Sequence, residues 1–367
     1  MEDNFVHQNM MTYIGNKRKL IQEICSIIET MVYPTLEKKK LNIVDGFAGS
    51  GVVSRALLQF ADEIYINDME PYSSVMSESF FKIPDDKDKQ LIYHHIDTMN
   101  KISKSGPFKK GIISLNYCPE KTEDIKENER CFYTQENGQI IDTLRDYIED
   151  QVEERLKPYC MSQLLIKASI HSNTAGVFKG FYKNKETKKG AFGGNGSNDL
   201  MRIKKSISLE YPIWSTCEYI PHIYTENINT LIQRLPDNID IIYLDPPYNQ
   251  HPYSSNYFML NVIMNNTLPS NISKVSGIPK GWTRSEYNYK KTAIPAMKDL
   301  LHESLQKSKY VLLSYNNEGI IQLKDWDIIL NPYNVTKKEI LYNTYKGSRN
   351  LKERNQKVIE IMYLITK

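Results

Sequence analysis

The chain has 367 residues, of which 40% are hydrophobic and 25% are charged, and its formal net charge is +3. This length allows one large core with an inserted segment, and no apolar run is long enough to cross a bilayer. The five cysteines are scattered without a Cys-x-x-Cys pair, which argues against a disulfide framework and against a zinc site. The acidic N-terminus is not typical of a secretory signal. We therefore expect a cytoplasmic protein that needs neither a membrane nor a metal.

The beginning of the chain has the pattern of an α/β unit. Leu41–Asp45 is a short apolar run that ends in an acid and precedes a glycine-rich turn. Val52–Phe60 then has apolar residues at helical spacing, and Glu63–Asp68 holds a second short strand that also ends in an acid. Strand, turn, helix and strand in this order are typical of a parallel sheet.

The same pattern returns late in the chain. Asp240–Leu244 and Tyr310–Ser314 are nearly continuous apolar runs, as expected for buried parallel strands. Pro295–Ser308 lies between them and has helical spacing. Trp326–Leu330 and Val358–Ile365 are predicted as two further strands.

The middle of the chain interrupts this pattern. It contains one predicted helical stretch, from Ile140 to about Ile170, and a glycine- and lysine-rich segment near residue 190. Because α/β sequence lies on both sides, we interpret the middle as an insertion into an α/β domain. The predicted division is 1–78 and 216–367 for the two parts of that domain and 79–215 for the insertion.

Positive charge is concentrated within this insertion. Residues 179–189 hold five lysines and one glutamate, and Arg202, Lys204 and Lys205 follow. Such a basic stripe favours a surface that binds phosphates, although a solvated loop explains the charge equally well. A second basic group lies near the end of the chain, with the same two interpretations: Arg349, Lys352 and Arg354.

A glycine-rich turn follows the first predicted strand: Asp45-Gly46-Phe47-Ala48-Gly49-Ser50-Gly51. Glycines let the chain turn sharply and let a ligand approach the backbone at a helix N-terminus. Their spacing is not that of the G-x-G-x-x-G dinucleotide fingerprint, and a glycine turn alone is as often structural. Asp68 at the end of the next strand strengthens the prediction of a cofactor site, because an acid there can accept hydrogen bonds from a ribose diol.

The tetrapeptide Asp245-Pro246-Pro247-Tyr248 directly follows the strand that ends at Leu244. The two prolines remove two backbone donors and make the chain stiff and extended. A carboxylate, a carbonyl and an aromatic ring are thereby presented at the carboxyl end of the sheet, where α/β ligand sites lie. This arrangement suits a planar substrate with an amino group, and the alternative is a simple turn with a packing tyrosine.

These two segments, together with Tyr13-Ile14-Gly15-Asn16-Lys17, resemble the motifs of the Dam-like, D12-class N6-adenine DNA methyltransferases. The order Y-x-G-x-K, D-x-F-x-G-S-G, inserted segment and D-P-P-Y also matches. The motif-bearing parts cover 10–75 and 219–320, and the middle is matched by position only, apart from a hairpin-like segment at 173–178. The resemblance implies an α/β, Rossmann-like S-adenosylmethionine-dependent methyltransferase fold with an inserted, mainly helical target-recognition module.

The resemblance also implies roles for individual residues. Asp245 and the carbonyl of Pro246 would accept hydrogen bonds from the amine of a flipped adenine, and Tyr248 would stack on the base. Lys17 suits the carboxylate at the methionine end of S-adenosyl-L-methionine. The residues expected at this cofactor are Tyr13, Gly15, Lys17, Asp45, Phe47, Ala48, Gly49, Ser50, Gly51, Asp68, Asn227 and Asp245.

Asn227 departs from the family pattern, because relatives often carry an acid near the cofactor adenine, and Glu226 could substitute for that acid. It is also a good N-cap for a helix predicted at Ile228–Leu235, and the cap is the favoured interpretation. In double-stranded DNA, phosphates would be contacted by Lys179, Lys183, Arg202 and Lys204. Tyr253 and Asn256 would close over the flipped base, or they would belong to a solvent loop.

The expected enzyme is bacterial or phage-encoded and associated with the nucleoid, with a cognate restriction endonuclease acting separately. Methylation of adenine in RNA or of a protein glutamine are alternatives, but the enzymes that perform them usually carry Asn where this chain has Asp245. A non-catalytic DNA-binding sensor of the cofactor is a further alternative, and such a protein would not need that carboxylate.

Overall fold

The computed structural model describes residues 3–8, 10–193, 197–343 and 357–367. Its strands are β1 (Leu41–Asp45), β2 (Ala61–Asn67), β3 (Ile220–Tyr224), β4 (Ile239–Leu244), β5 (Ser308–Asn316), β6 (Asn334–Asn343) and β7 (Lys357–Thr366). Its α-helices are α1 (Asp3–His7), α2 (Ile21–Ile27), α3 (Val52–Leu57), α4 (Pro71–Phe81), α5 (Asp86–Ser105), α6 (Ile112–Asn116), α7 (Gln135–Gln151), α8 (Lys157–Ile170), α9 (Ser197–Lys204), α10 (Ile228–Leu231), α11 (Tyr253–Asn256), α12 (Phe258–Asn265), α13 (Lys290–Lys307) and α14 (Leu323–Leu330). Short 3-10 or π-helical turns lie at Arg18–Leu20, Ile28–Val32, Tyr33–Thr35, Glu154–Leu156, Ile232–Arg234 and Glu286–Asn288.

The strands form one sheet in the order β3-β2-β1-β4-β5-β7-β6. Neighbours from β3 to β5 are parallel, and β7 is antiparallel to both β5 and β6. β1 and β4 are adjacent, and the chain continues from them toward opposite edges of the sheet. They therefore flank the topological switch point, at which open α/β sheets bind ligands. This mixed α/β architecture is consistent with the predicted Rossmann-like methyltransferase fold.

The central strands are covered on both faces. Ile43, Ile241 and Leu312 belong to a large hydrophobic cluster with residues of α1 to α8 and α12. Their chain neighbours Val44 and Ile242 belong to a second cluster with residues of α10, α13 and α14. Because successive side chains of a strand point to opposite faces, a parallel strand between two such layers is apolar throughout, as its sequence indicated.

Most predicted strands are confirmed, and one is wrong. Trp326–Leu330 lies in the helix α14 instead of a strand. The buried face of α14 consists of Trp326, Ile329 and Leu330, which have helical spacing, and Gln322 and Asp325 form a capping box at its N-terminus. A run of only five residues did not distinguish this spacing from that of a buried strand. The confirmed strands are β1, β2, β4, β5 and β7.

The single helical stretch predicted from Ile140 to about Ile170 is in fact two helices. α7 ends at Gln151 and α8 begins at Lys157, with Pro158 in the first turn of α8. A proline lacks the backbone N–H that a helix interior needs, whereas the first turn tolerates its absence. The helical stretch is therefore interrupted before Pro158, and α8 begins as a separate helix.

The middle of the chain shares its core with the sheet. Ile96 of α5, Leu144 of α7 and Leu164 of α8 are fully buried in the same cluster as Ile43 of β1. α8 packs against α4, which follows β2 almost directly. This packing does not confirm a separate recognition module, and the boundaries of 79–215 stay a prediction. No described helix is both long and apolar enough to cross a membrane.

Candidate active site

A cleft lies at the carboxyl ends of β1 and β4. The sheet register pairs Asp45 of β1 with Tyr243 of β4, so the glycine-rich turn and the tetrapeptide are neighbours in space. The cleft is lined by Ile228 and by parts of five segments of the chain: 13–17, 46–53, 67–70, 243–253 and 283–288. The segments that the sequence analysis singled out therefore converge on one cavity.

The glycine-rich turn forms the wall of the cleft above β1. Gly49 has a φ of +54°, and a Cβ atom there would lie 2.9 Å from Cε1 of Tyr13. Glycine is needed because the turn is left-handed at this point and touches the aromatic ring. The N–H of Gly49 donates a hydrogen bond to Oδ2 of Asp68 at 2.7 Å, which ties the turn to the end of β2.

Two carboxylates of the cleft follow β2. Oδ1 of Asp68 accepts a hydrogen bond from the N–H of Glu70 at 2.8 Å, and Glu70 in turn accepts one from Nδ2 of Asn261 at 3.1 Å. Burial raises the pKa of Asp68 to about 6 and that of Glu70 to about 8. A cation in the cleft would favour the ionised form of both groups. Glu70 was not singled out in the sequence.

Asp45 supports the turn from below. Its Oδ1 atom accepts a hydrogen bond from the N–H of Phe47 at 3.3 Å, and its Oδ2 atom accepts one from Oγ of Ser54 at 2.5 Å. The residue is fully buried, and burial raises its pKa to about 7. Asp45 thus holds the shape of the turn and does not itself line the cleft.

Asp245, Lys17 and Glu360 form a buried group that we call the charged triad. Nζ of Lys17 lies 2.9 Å from Oδ1 of Asp245 and 2.8 Å from Oε1 of Glu360. The side chain of Asp245 is 17% exposed, whereas those of Lys17 and Glu360 are 3% and 0% exposed. Burial lowers the pKa of Lys17, but the two carboxylates more than offset this effect and leave it well above its usual value.

The same burial acts on Asp245 in the opposite direction. Burial raises its pKa, Lys17 lowers it and Glu360 raises it, to a value of about 6. This carboxyl is therefore ionised at neutral pH, and its proton affinity is higher than that of an exposed aspartate.

Aromatic rings form the remaining wall. Tyr13 stacks on Tyr253 and Tyr257, with ring centroids 5.1 and 4.8 Å apart and planes within 9°. Tyr248 lies edge-on to Tyr315 at 6.1 Å, and Nζ of Lys17 lies 5.6 Å from the Tyr248 ring centroid. Tyr248 and Pro246, which were predicted as catalytic together with Asp245, are not among the residues that line the cleft. The backbone carbonyl of Tyr248 accepts a hydrogen bond from Ile320 at 2.9 Å, which anchors the tetrapeptide to the segment after β5.

The predicted cofactor residues divide into two groups. Those that line the cleft are Tyr13, Gly15, Lys17, Phe47, Ala48, Gly49, Ser50, Asp68 and Asp245. Asp45, Gly51 and Asn227 do not line it. Gly51 caps α3, and the side chain of Asn227 accepts a hydrogen bond from Asn229 at 2.9 Å. The predicted N-cap at Asn227 is thereby confirmed, and Ile228 lines the cleft beside it.

The sequence also matches a known protein family. A family model described as D12 class N6 adenine-specific DNA methyltransferase matches residues 13–326. The chain belongs to this family. It is an adenine-specific DNA methyltransferase, and the match extends over the segments that line the cleft.

Three named relatives have similar sequences. Type II methyltransferase M.NlaIII of Neisseria lactamica is 28% identical, over 97% of this chain and 99% of its own length. Type II methyltransferase M.CviAII of Paramecium bursaria Chlorella virus 1 is 27% identical, over 92% of both chains. Modification methylase StsI of Streptococcus sanguinis is 28% identical over 97% of this chain, which corresponds to 52% of its own length.

The predicted DNA-binding residues of this D12-class enzyme lie in different environments. Lys183 is exposed at the start of a hairpin, where it pairs with Gly190, and Lys204 is exposed at the end of α9. Arg202 instead donates hydrogen bonds to the carbonyls of Ile170 and Ser172, so its guanidinium is engaged at the end of α8. The predicted residues near the end of the chain, Arg349, Lys352 and Arg354, lie outside the described residues.

Two cationic side chains, Lys179 and Arg284, interact with each other and with the imidazole of His251 beside the cleft. Lys179 is half-buried, and burial followed by the charge of Arg284 lowers its pKa to about 8. Burial also lowers the pKa of His251, and the charges of Lys179 and Arg284 add to this effect. Arg284 lies between Thr283 and Ser285, which both line the cleft. Such mutual repulsion favours an anionic partner.

Tyr253 and Asn256 differ from each other in position. Tyr253 lines the cleft, whereas Asn256 is 5% exposed and its backbone carbonyl accepts a hydrogen bond from Phe178. The sequence analysis missed Glu360 of the charged triad, although it is the one charged residue in the predicted strand Val358–Ile365. Among the described residues, no group of three or more His, Cys, Asp or Glu side chains could hold a metal ion.

Proposed function

We propose that this enzyme transfers a methyl group from S-adenosylmethionine to N6 of an adenine flipped out of double-stranded DNA, within a specific target sequence. The observation that supports this proposal most directly is the position of Asp245. Its carboxylate follows β4, beside the glycine-rich turn that follows β1, in a cleft at the topological switch point of the sheet.

The cleft suits S-adenosylmethionine in charge. Its wall carries the carboxyls of Asp68, Glu70 and Asp245. S-adenosylmethionine supplies a methyl group activated by its positively charged sulfonium. Asp68 lines the cleft at the end of β2 and is suited to hold a ribose diol. We propose that Phe47, Ala48 and Ser50 contact the same ligand.

The tetrapeptide is suited to the target amine. The N6 lone pair of adenine is delocalised into the ring, so the amine is a weak nucleophile. Hydrogen bonds from its two N–H groups to Asp245 and to the carbonyl of Pro246 would make the lone pair more available. The charge of Asp245 would also stabilise the positive charge that develops on nitrogen, and Tyr248 would stack on the base.

We propose that DNA approaches over the mouth of the cleft. Lys179 and Arg284 flank it, and the exposed lysines of the hairpin around Lys183 extend the positive surface. Cations at these positions would bind phosphates beside the flipped nucleotide. We further propose that 79–215 contains the recognition module and that the enzyme modifies DNA alongside a separate restriction endonuclease, as the names of its relatives suggest.

The proposal is tested by incubation of the purified protein with tritiated S-adenosylmethionine and unmethylated genomic DNA. The DNA is then digested to nucleosides and examined by mass spectrometry. We expect N6-methyladenine to increase with time and to be confined to one short sequence when the product is sequenced. Label in RNA or protein but not in DNA would overturn the proposed substrate.

A further inference from the structure

A buried carboxylate is unexpected at the position of Glu360. This residue is 0% exposed and lies in the middle of β7, where its chain neighbours Ile359 and Ile361 are apolar. Burial of a charge costs free energy, and an apolar residue is often at least as stable as a buried ion pair. Stability alone therefore does not explain an acid here, and the groups that Glu360 contacts indicate what it does.

Glu360 lies in contact with the catalytic machinery through Lys17. Its Oε1 atom is 2.8 Å from Nζ of Lys17, whose other carboxylate partner is Oδ1 of Asp245 at 2.9 Å. Oγ of Ser314, on the neighbouring strand β5, donates a hydrogen bond to the same Oε1 atom. β7 pairs with β5 in antiparallel register along this stretch, so the position of the Glu360 carboxylate is determined by the sheet.

The charge balance of the triad decides what Lys17 can do. One ammonium lies between two carboxylates, so the triad has a net charge of −1 when all three groups are ionised. A further carboxylate, such as that of S-adenosylmethionine, would approach a site that is already negative. The resemblance implied that Lys17 binds the carboxylate of the cofactor, but its ammonium already has two carboxylate partners.

We propose that Glu360 is a positioning residue which acts through Lys17 to orient Asp245 and to preserve its negative charge for the target amine. This inference rests on the proposed function. Lys17 holds Oδ1 of Asp245, and because that atom is buried, the accessible part of the carboxylate is its other side. Glu360 shares the ammonium and so prevents Lys17 from neutralising Asp245 completely.

The surroundings of Asp245 make this balance measurable. Lys17 from the N-terminal segment lowers its pKa, and Glu360 from β7 raises it. The other ionisable groups that interact with Asp245 are Tyr243 of β4, Asp45 of β1 and Tyr253, and Tyr248 interacts with Lys17. When Glu360 loses its charge, Lys17 acts on Asp245 unopposed and the pKa of Asp245 should fall.

The first experiment uses Glu360→Gln, which keeps the shape of the side chain and its acceptor for Ser314. The single-turnover rate of adenine methylation should fall at least about tenfold, because the tetrapeptide carboxylate stabilises less charge. The acid limb of the pH–rate profile should move below the value of about 6 expected for the wild type. The affinity for S-adenosylmethionine, measured by calorimetry, should stay within about twofold.

A matched control is available on the same sheet. Asp240 of β4 is a buried carboxylate, 2.9 Å from Nζ of Lys38, at the opposite end of the strand from the cleft. Asp240→Asn also removes the acid from a lysine pair, but it should leave the acid limb in place. A merely structural role of Glu360 would lower the amount of active enzyme in both variants without moving the limb in either.

Glu360→Asp provides the conservative comparison. Its shorter side chain keeps the negative charge but places it farther from Lys17. The methylation rate of this variant should therefore lie between those of the wild type and Glu360→Gln. If Glu360→Gln does not fold, as judged by circular dichroism and denaturant unfolding, the same rate and pH comparison is made with Glu360→Asp against Asp240→Asn. A wild-type rate with an unmoved acid limb would then overturn the proposal.

A second variant separates the two roles considered for Lys17. In the Glu360→Gln background, Lys17→Met leaves no unpaired charge at Glu360. Cofactor affinity should remain within about twofold of the wild type if Lys17 serves Asp245. A loss of about a hundredfold would show that Lys17 holds the cofactor carboxylate and would overturn the inference.

The wild-type protein distinguishes failure of this inference from failure of the proposed function. If the wild type methylates no adenine in DNA, the proposed function fails. If the wild type is active and Glu360→Gln retains its rate and its pH profile, only the role of Glu360 fails.

Discussion

Substitution of Gly49 by alanine perturbs the cofactor wall by a single methyl group. Gly49 has a φ of +54°, and the added Cβ atom would lie 2.9 Å from Cε1 and 3.1 Å from the hydroxyl oxygen of Tyr13. The ring cannot retreat freely, since it stacks on Tyr253 and Tyr257. The turn and the ring must therefore separate, and both line the cleft.

The expected cost has two parts. A residue with a Cβ atom in the left-handed region loses about 1–2 kcal/mol. Displacement of a packed ring costs about 1–3 kcal/mol more. The free energy of unfolding should thus fall by about 2–5 kcal/mol. Because the displaced groups face the proposed cofactor, binding of S-adenosylmethionine should weaken at least about tenfold, which corresponds to about 1.4 kcal/mol.

Denaturant unfolding and calorimetry measure these two quantities. Gly281→Ala is a matched control, because Gly281 also has a positive φ, of +126°, but no heavy atom lies within 4 Å of its added Cβ. The control should lose stability without losing cofactor affinity. If both variants bind the cofactor equally well, or if Gly49→Ala is as stable as the wild type, the close contact with Tyr13 does not shape the site.

Three further predictions concern charge. Asp245→Ala should still bind S-adenosylmethionine in calorimetry but lose methyl transfer, and transfer near the wild-type rate would contradict the assigned role. Asp45→Asn should flatten the pH dependence of stability. The pKa of Asp45 is raised to about 7, so the folded state binds this proton more tightly than the unfolded state, and the wild type should lose up to about 4 kcal/mol between about pH 4 and pH 7. If denaturant unfolding gave the same slope of unfolding free energy against pH for the wild type and for Asp45→Asn, this prediction would be refuted. Lys179→Ala should weaken DNA binding and reduce the slope of log affinity against log salt concentration by about one. The control is Lys39→Ala, at an exposed lysine before the amino end of β1, and it should change neither the affinity nor the slope.

The sequence predicted the centre of the sheet better than its edges. β1, β4 and β5 are covered on both faces, so their apolar runs were recognisable. β3 (Ile220–Tyr224) and β6 (Asn334–Asn343) were missed, because both are edge strands. β3 is only partly buried and contains Pro221, and the side chains of β6 from 334 to 341 are nearly all exposed. An edge strand is shielded on fewer sides, and its sequence is correspondingly less apolar.

The residues of the site also differed in how well the sequence predicted them. Asp245 and Gly49 were found because short segments at the ends of strands carry chemistry that local sequence displays. Glu360 was not found, because its role depends on which strand β7 joins and which residue of β5 it faces. The two carboxylate partners of Lys17 could not be predicted either, since they come from distant parts of the chain.

The order of the charged triad along the chain has a consequence for biosynthesis. Lys17 is synthesised before Asp245, and Asp245 before Glu360, and β7 must enter the sheet between β5 and β6. Folding that depends on such distant contacts is slow and comes late. A prematurely terminated copy without β7 would carry both the glycine-rich turn and the tetrapeptide, yet it would lack the acid that balances Lys17. We expect such fragments not to methylate DNA, so that only molecules that contain β7 are active.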